Sequence, residues 1–262
     1  MTILISYAVL GAIVGVLAGL LGVGGGLIIV PVLVYLWQAQ GMAGESPVQL
    51  AIGTSLATIV LTSLSSIWSH HRHGNVQWPI FWRLVPGIVL GAWLGAAIAT
   101  GLPGAALKRL FGVFELLMAA QMAFAVRPAP HRALPGTLGM GLAGTVIGSV
   151  AAIVGIGGGV LTVPFLTWCN VRIQQAVATS AACGLPIAVG GALAYVVLGW
   201  GQAQLPAGAA GYVYGPALLG IAITSVLFAP LGAAWSRRLS TAVLRRVFAV
   251  FLALLGLWML LA

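Results

Sequence analysis

The sequence predicts an all-α integral membrane protein of about eight transmembrane elements, arranged as a 4+4 internal repeat. The first element of each half is expected to break at a GxGGG hinge. Three observations carry this reading. Of 262 residues, 61% are hydrophobic and only 5% are charged, with mean hydropathy +1.14. A water-soluble domain must show a large polar share to solvent, so this composition excludes one. The apolar residues fall in long runs separated by short loops, which leave no room for a soluble domain. Residues 11–35 and 144–168 share ten identities in 25 positions at a shift of 133, among them Gly22/Gly155, Gly24/Gly157, Gly25/Gly158, Gly26/Gly159 and Pro31/Pro164.

The predicted elements are residues 3–37, 47–69, 79–100, 106–126, 134–168, 173–198, 211–236 and 242–261. A single crossing takes about 20 residues. The first and fifth elements, 35 residues each, are too long for one straight span and too short for two. Each is either a tilted, broken helix or a span followed by a half-length re-entrant helix. Residues 3–21 lack the basic stretch and small-residue cleavage site of a signal peptide, and read as a retained span. Ser46-Pro47 suits an N-cap with proline at the first helical position, and Ser240-Thr241 can cap the last helix. Trp37, Trp68, Trp78, Trp82, Trp168, Trp200 and Trp235 stand near span ends, as interfacial aromatics do. Cys169 and Cys183 form no CxxC pair and read as small packing residues.

The repeat continues past the glycines. Gln49, Ala51, Thr54 and Ser55 match Gln174, Ala176, Thr179 and Ser180 at a shift of 125. LKRLFGVFELL (107–117) matches LRRVFAVFLAL (244–254) at a shift of 137. The halves are therefore residues 1–128 and 129–262, joined by RPAPHR at 127–132. With eight spans the loops alternate sides. Lys108, Arg109, Arg172, Arg237, Arg238, Arg245 and Arg246 then share one face, and Arg72, Arg83, Arg127 and Arg132 the other. The positive-inside rule puts the first set in the cytoplasm and both termini outside. The doublets Lys108-Arg109 and Arg245-Arg246 share a face only if the halves are parallel; an odd number of crossings per half inverts them.

Within lipid, an unwound helix exposes backbone groups that are tolerated only around a cavity or ligand. Paired broken segments are the sequence mark of a transporter's binding site. Gly24, Gly25 and Gly26 in one half, and Gly157, Gly158 and Gly159 in the other, are the candidates. A helix starting at Leu27 or Val160 aims its partly positive N-terminus at the break, which suits an anion. Gly11, Gly15, Gly19, Gly144 and Gly148 instead fit close helix packing. A nucleotide loop is excluded, because no Lys-Ser/Thr follows and Leu27 breaks GxGxxG. Thr54, Ser55, Thr179 and Ser180 offer hydroxyls to an anion, or bond back to their own helices.

Glu115 is the one acid within a predicted span, and its repeat position is Leu252. It is a candidate for proton coupling, with an interfacial place or a basic partner as alternatives. His70-His71-Arg72-His73 reads as an interfacial loop rather than a metal site. No predicted span holds a histidine, and no paired carboxylates exist, so an enzyme is not expected. A cation path would want acids lining it, and the chain has two against 11 Lys and Arg. No basic run is long enough for a nucleic-acid arm. The expected partners are a small-molecule anion and the lipid bilayer, with no cofactor, no metal and no nucleic acid. The oligomeric state, a homodimer included, stays open.

The two GxGGG segments, each followed by a proline, and the Thr-Ser segment after each, resemble the TauE/SafE sulfite-exporter family. The resemblance covers nearly the whole chain, including its length and doubled halves. It implies a multi-pass transporter of a bacterial-type plasma membrane, linked to export of sulfite, sulfonates or related small organic anions. The family's motif regions fall on Gly22, Gly24, Gly25, Gly26, Pro31, Thr54 and Ser55, and on Gly155, Gly157, Gly158, Gly159, Pro164, Thr179 and Ser180. The halves differ where Ala178 stands opposite Gly53 and Cys183 opposite Thr58. The expected function is export of a small anion, first of all sulfite or a related sulfur oxyanion or organosulfonate. Proton-coupled transport of a small organosulfur acid or carboxylate is the alternative. A non-transporting membrane scaffold or partner subunit is the rival from another class.

Overall fold

The computed structural model describes residues 2–21, 25–42, 46–72, 74–124, 133–202, 205–236 and 241–261. Within them the chain forms α1 (Thr2–Leu21), α2 (Gly26–Ala39), α3 (Pro47–Arg72), α4 (Trp78–Gly101) and α5 (Gly104–Ala123). It continues as α6 (Thr137–Val154), α7 (Gly159–Trp168), α8 (Ile173–Leu198), α9 (Gly215–Ser236) and α10 (Thr241–Leu261). A two-residue hairpin, β1 (Ala209–Ala210) against β2 (Val213–Tyr214), precedes α9.

Eight predicted elements become ten helices because the first and fifth are each divided. The physical cause is visible in the fifth. Gly155 takes φ +72°, open to glycine but strained for other residues, and ends α6 as a left-handed cap. The N–H of Ile156 then turns back to the carbonyl of Ala151 at 3.0 Å. Gly22 and Gly24 of the first break lie outside the described residues. α2 runs back along α1: Gly25 faces Val14, and Trp37 near the end of α2 donates from Nε1 to the Tyr7 hydroxyl at 2.8 Å. α2 thus starts level with the middle of α1 and returns antiparallel to it. α7, with ten residues, rises only about 15 Å, half of a bilayer core.

Helix pairs cross so closely that backbones touch. In the α4–α6 pair Gly87, Gly91 and Gly95 meet Gly141, Thr145 and Ser149, and Gly144 and Gly148 meet Leu84 and Ile88. Position numbers rise together, so these helices are parallel. In the α1–α9 pair Gly11 meets Ile221, Gly15 meets Ser225 and Gly232 meets Val16, again parallel. Each α1–α9 contact has its counterpart in α4–α6 at the repeat-matched positions: Gly11–Ile221 with Gly144–Leu84, Gly15–Ser225 with Gly148–Ile88, Gly232–Val16 with Gly95–Ser149. Small residues every fourth position are what let membrane helices approach this far.

The matched helices themselves meet antiparallel. Gly53 of α3 lies against Tyr195 of α8, and Leu56 against Gly191. Gly112 of α5 meets Leu260 of α10, and Leu116 meets Gly256. The doublets Lys108-Arg109 and Arg245-Arg246 head these two antiparallel helices, and so belong to opposite ends of the molecule. This corrects the eight-span expectation that they share a face. The cause is the extra turn-back in each half, which makes the number of passes odd.

Gly148→Leu should overpack the α4–α6 crossing, at a cost of roughly 1–3 kcal/mol. Gly101→Leu, where nothing lies within 4 Å of an added Cβ, should not. Thermal unfolding of the purified variants checks this; equal midpoints would show that the crossing is not tight.

Candidate functional site

The two glycine segments meet inside the molecule. Gly26, opening α2, is pressed against the Gly155 carbonyl, and an added Cβ would lie 2.9 Å from the Ile156 Cα. The end of α6 is capped by neighbouring side chains. Ser55 donates to the Gly155 carbonyl at 2.9 Å, and the Tyr195 hydroxyl donates to the Ala152 carbonyl at 3.1 Å. On the other side, Gly158 backs onto α8. A Cβ there would stand 2.5 Å from the Ser180 carbonyl oxygen and 2.8 Å from the Gly184 nitrogen. Gly158 precedes α7 with no side-chain cap, so the first-turn N–H groups have no partner within their own helix.

Two buried hydroxyls sit in this region without a hydrogen-bond partner, Ser180 Oγ and Thr162 Oγ1. Ser180 lies against Gly158, and Thr162 is one helical turn along α7 from it. The halves differ here. Ser55, matched to Ser180, is engaged with Gly155, and Thr162 is matched to Ile29. The helices differ as well: nine of α2's 14 residues are buried, against two of α7's ten.

The threonines do something else. Thr54 donates to the Leu50 carbonyl at 2.7 Å and accepts the Tyr214 N–H at 2.9 Å. Thr179 accepts the Gln77 N–H at 2.9 Å. Gln77 and Tyr214 each directly precede a helix, α4 and α9, and correspond at the shift of 137. Each threonine therefore holds the start of a helix from the opposite half. Of the glycines singled out, Gly24 lies outside the described residues. Gly25 faces Val14 of α1, and a Cβ on Gly157 would find only Ile59 Cγ2 at 3.6 Å. Gly159 is half-buried at the start of α7.

Glu115 stands elsewhere, at the α5–α10 crossing, with its Cβ 3.0 Å from a Cβ built on Gly256. It is wholly buried, and neither carboxylate oxygen has a hydrogen-bond partner. Near the end of α3, His71 packs edge-on to Trp78 at 5.6 Å and Arg72 lies over the Trp68 ring at 5.2 Å. Among the described residues no three His, Cys, Asp or Glu side chains gather where they could hold a metal ion; His73 lies outside them. Thr162 escaped the sequence reading because its matched residue is apolar. The segment before α9 escaped it too, although the shift rises from 125 to 137 between α8 and α9, marking 12 additional residues in the second half.

These features define a multi-pass, all-α membrane protein. Among the described residues, five helices are long and apolar enough to cross a bilayer, and shorter apolar helices accompany them. The chain belongs to the Sulfite exporter TauE/SafE family, whose profile matches residues 7–259, and is a membrane transporter. Its relatives include a Haemophilus influenzae protein named probable membrane transporter protein, 35% identical over 98% of this chain and 97% of its own length. A Methanocaldococcus jannaschii protein of the same description is 28% identical over 97% of this chain and 94% of its own. A Bacillus subtilis protein, also named probable membrane transporter protein, is 27% identical over 72% and 77%. No solved structure matches the chain.

Gly157→Ala should be accommodated in ordinary contact with Ile59, whereas Gly158→Ala must displace backbone of α8. The first should leave the unfolding free energy within about 0.5 kcal/mol of the parent, and the second should lower it by roughly 1–3 kcal/mol. Calorimetry in detergent decides; equal losses would contradict the packing described.

Proposed function

We propose that this transporter exports a small oxyanion, sulfite or a related sulfur oxyanion or organosulfonate, through a site where the two glycine segments meet. The observation that carries the reading is the pair of buried, unpartnered hydroxyls, Ser180 and Thr162, beside the α7 N-terminus. A buried hydroxyl without a partner is costly. An anion's oxygens would satisfy both hydroxyls and the orphan N–H groups of the helix start, in the field the helix dipole favours. Gly25 and Gly26, with Gly157–Gly159, supply close-approach backbone from both halves. Ser55, Thr54 and Thr179 shape the walls.

Residues 1–128 and 129–262 are read as inverted repeats. The antiparallel α3–α8 and α5–α10 pairs and the matched glycine contacts support this. Among the described residues, one end of the molecule then carries Arg72, Arg83, Arg172, Arg245 and Arg246, and the other Lys108 and Arg109. The bias is steeper than under eight spans. It puts the arginine-rich end in the cytoplasm of a bacterial-type plasma membrane and both termini outside. An inside-negative potential drives anions outward with about 2.3 kcal/mol per charge per 100 mV, so export needs no coupled ion.

Glu115 favours a second reading, proton-coupled movement of an organosulfur acid or carboxylate. A carboxyl buried in a span without a partner has a ready use if it exchanges a proton during transport.

Flux of sulfite, sulfate, thiosulfate, sulfonates and carboxylates in proteoliposomes tests the function. Ser180→Ala and Thr162→Val should each weaken apparent affinity roughly tenfold or more, the loss expected for a hydrogen bond to a charged ligand. Absence of flux with every anion would leave a scaffold. Glu115→Gln should leave sulfite flux intact if the anion moves uncoupled, and should abolish the response to a pH gradient if the second reading holds.

A further inference from the structure

The two ends of the molecule differ at matched positions. Near the start of α8, Ile173 is 45% exposed, Gln174 is exposed and Val177 is half-buried. Their counterparts at the start of α3, Val48, Gln49 and Ile52, are 2%, 3% and 0% exposed. Ile173, Gln174 and Val177 line a cavity of about 310 Å³ together with His70 and Asn75. At the opposite end Gln49 donates from Nε2 to the Leu102 carbonyl at 3.0 Å.

That opposite end is filled by the additional residues between α8 and α9. Tyr212, Val213 and Tyr214 are buried there. The Tyr214 N–H is held by Thr54, and its ring meets Tyr7 at 6.2 Å and Trp37 at 5.9 Å, both edge-on. The positions matched to Tyr7, Trp37 and Tyr214 are Met140, Asn170 and Gln77, which can form no such cluster.

Resting on the transport reading above, we propose that the 310 Å³ cavity is the cytoplasmic loading vestibule for a small oxyanion, and that Leu205–Tyr214 is the plug of the outer exit. Asn75 and Gln174 bring amide donors, and His70 an imidazole, to a mouth on the arginine-rich end. From Gln174 the helix winds through half-buried Val177 to buried Ser180, about 9 Å along its axis and about 120° around it. In this form the cytoplasmic mouth is open as far as Val177, with Ser180 buried beyond it; release outside requires the plug to leave the α3–α8 cleft.

Cysteine accessibility tests this without knowing the substrate. In a Cys169→Ala, Cys183→Ala background, Val177→Cys and the matched Ile52→Cys are exposed to a membrane-impermeant maleimide in inside-out and right-side-out vesicles. Val177→Cys should label from the cytoplasmic face only, and Ile52→Cys at least tenfold more slowly from either face. Adding Tyr212→Ala with Tyr214→Ala should raise Ile52→Cys labelling from the outer face at least tenfold. If that variant does not elute as a folded protein, Thr54→Val, which removes the acceptor for the Tyr214 N–H together with a bond back to the Leu50 carbonyl of its own helix, should raise it several-fold. Labelling of Val177→Cys from outside, or of Ile52→Cys as fast as Val177→Cys, overturns the vestibule. Unchanged Ile52→Cys labelling after the plug is loosened overturns the plug. Expected labelling with no anion flux would instead sink the transport reading and leave the gate geometry standing.

Discussion

The rest of the structure depends on one constraint: a helix interrupted inside a bilayer must hand its unpaired backbone groups to specific partners. The break between α6 and α7 meets it with side chains from two other helices. Ser55 takes the Gly155 carbonyl and Tyr195 takes the Ala152 carbonyl. The same economy recurs where α4 and α9 begin, with Thr179 and Thr54 accepting the N–H groups just before them. The polar residues of α3 and α8 are therefore fixed by the backbone they serve. The exceptions, Ser180 and Thr162, stand out because nearly every other buried hydroxyl is accounted for.

The second determinant is how the halves interlock. α1 packs along α9, and α4 along α6, each helix lying against one from the opposite half. The glycine rows leave no room for a side chain between them, so the contact is backbone on backbone. Separating the halves would strip both crossings at once. α3–α8 and α5–α10 close the arrangement by meeting their own counterparts. Motion in such a body must come from the short, broken helices and the loops between elements, since the long pairs act as rigid units.

Much of this was legible in the sequence. Composition gave the membrane, and the second glycine run falls in the interruption between α6 and α7. The threonine and serine pairs marked residues that matter, although Thr54 and Thr179 turn out to bind backbone N–H groups. Direction was not legible. Whether α2 continues the line of α1 or returns beside it is decided by contacts such as Trp37 with Tyr7, which link positions 30 apart and leave no local pattern. A count short by one pass per half then put Lys108-Arg109 and Arg245-Arg246 at the same end. A clue was available in the Leu-Gly-Ala-Ala of 94–97 and 231–234, which aligns α4 with α9 at the same shift as α5 with α10. Thr162 had no signal, because a residue that serves one half alone is invisible to a comparison of halves.

The unequal seating of α2 and α7 has a mechanical meaning. α2 is wedged between α1, α3 and α10, with Tyr35 edge-on to Trp258 at 5.5 Å. α7 leans chiefly on α8 and keeps most of its surface half-open. Two levers copied from one design thus differ in stiffness. The stiff one serves as an anvil that holds its shape under load. The compliant one can swing while disturbing little packed surface, so displacement during a working stroke concentrates in a ten-residue arm rather than spreading through the whole bundle.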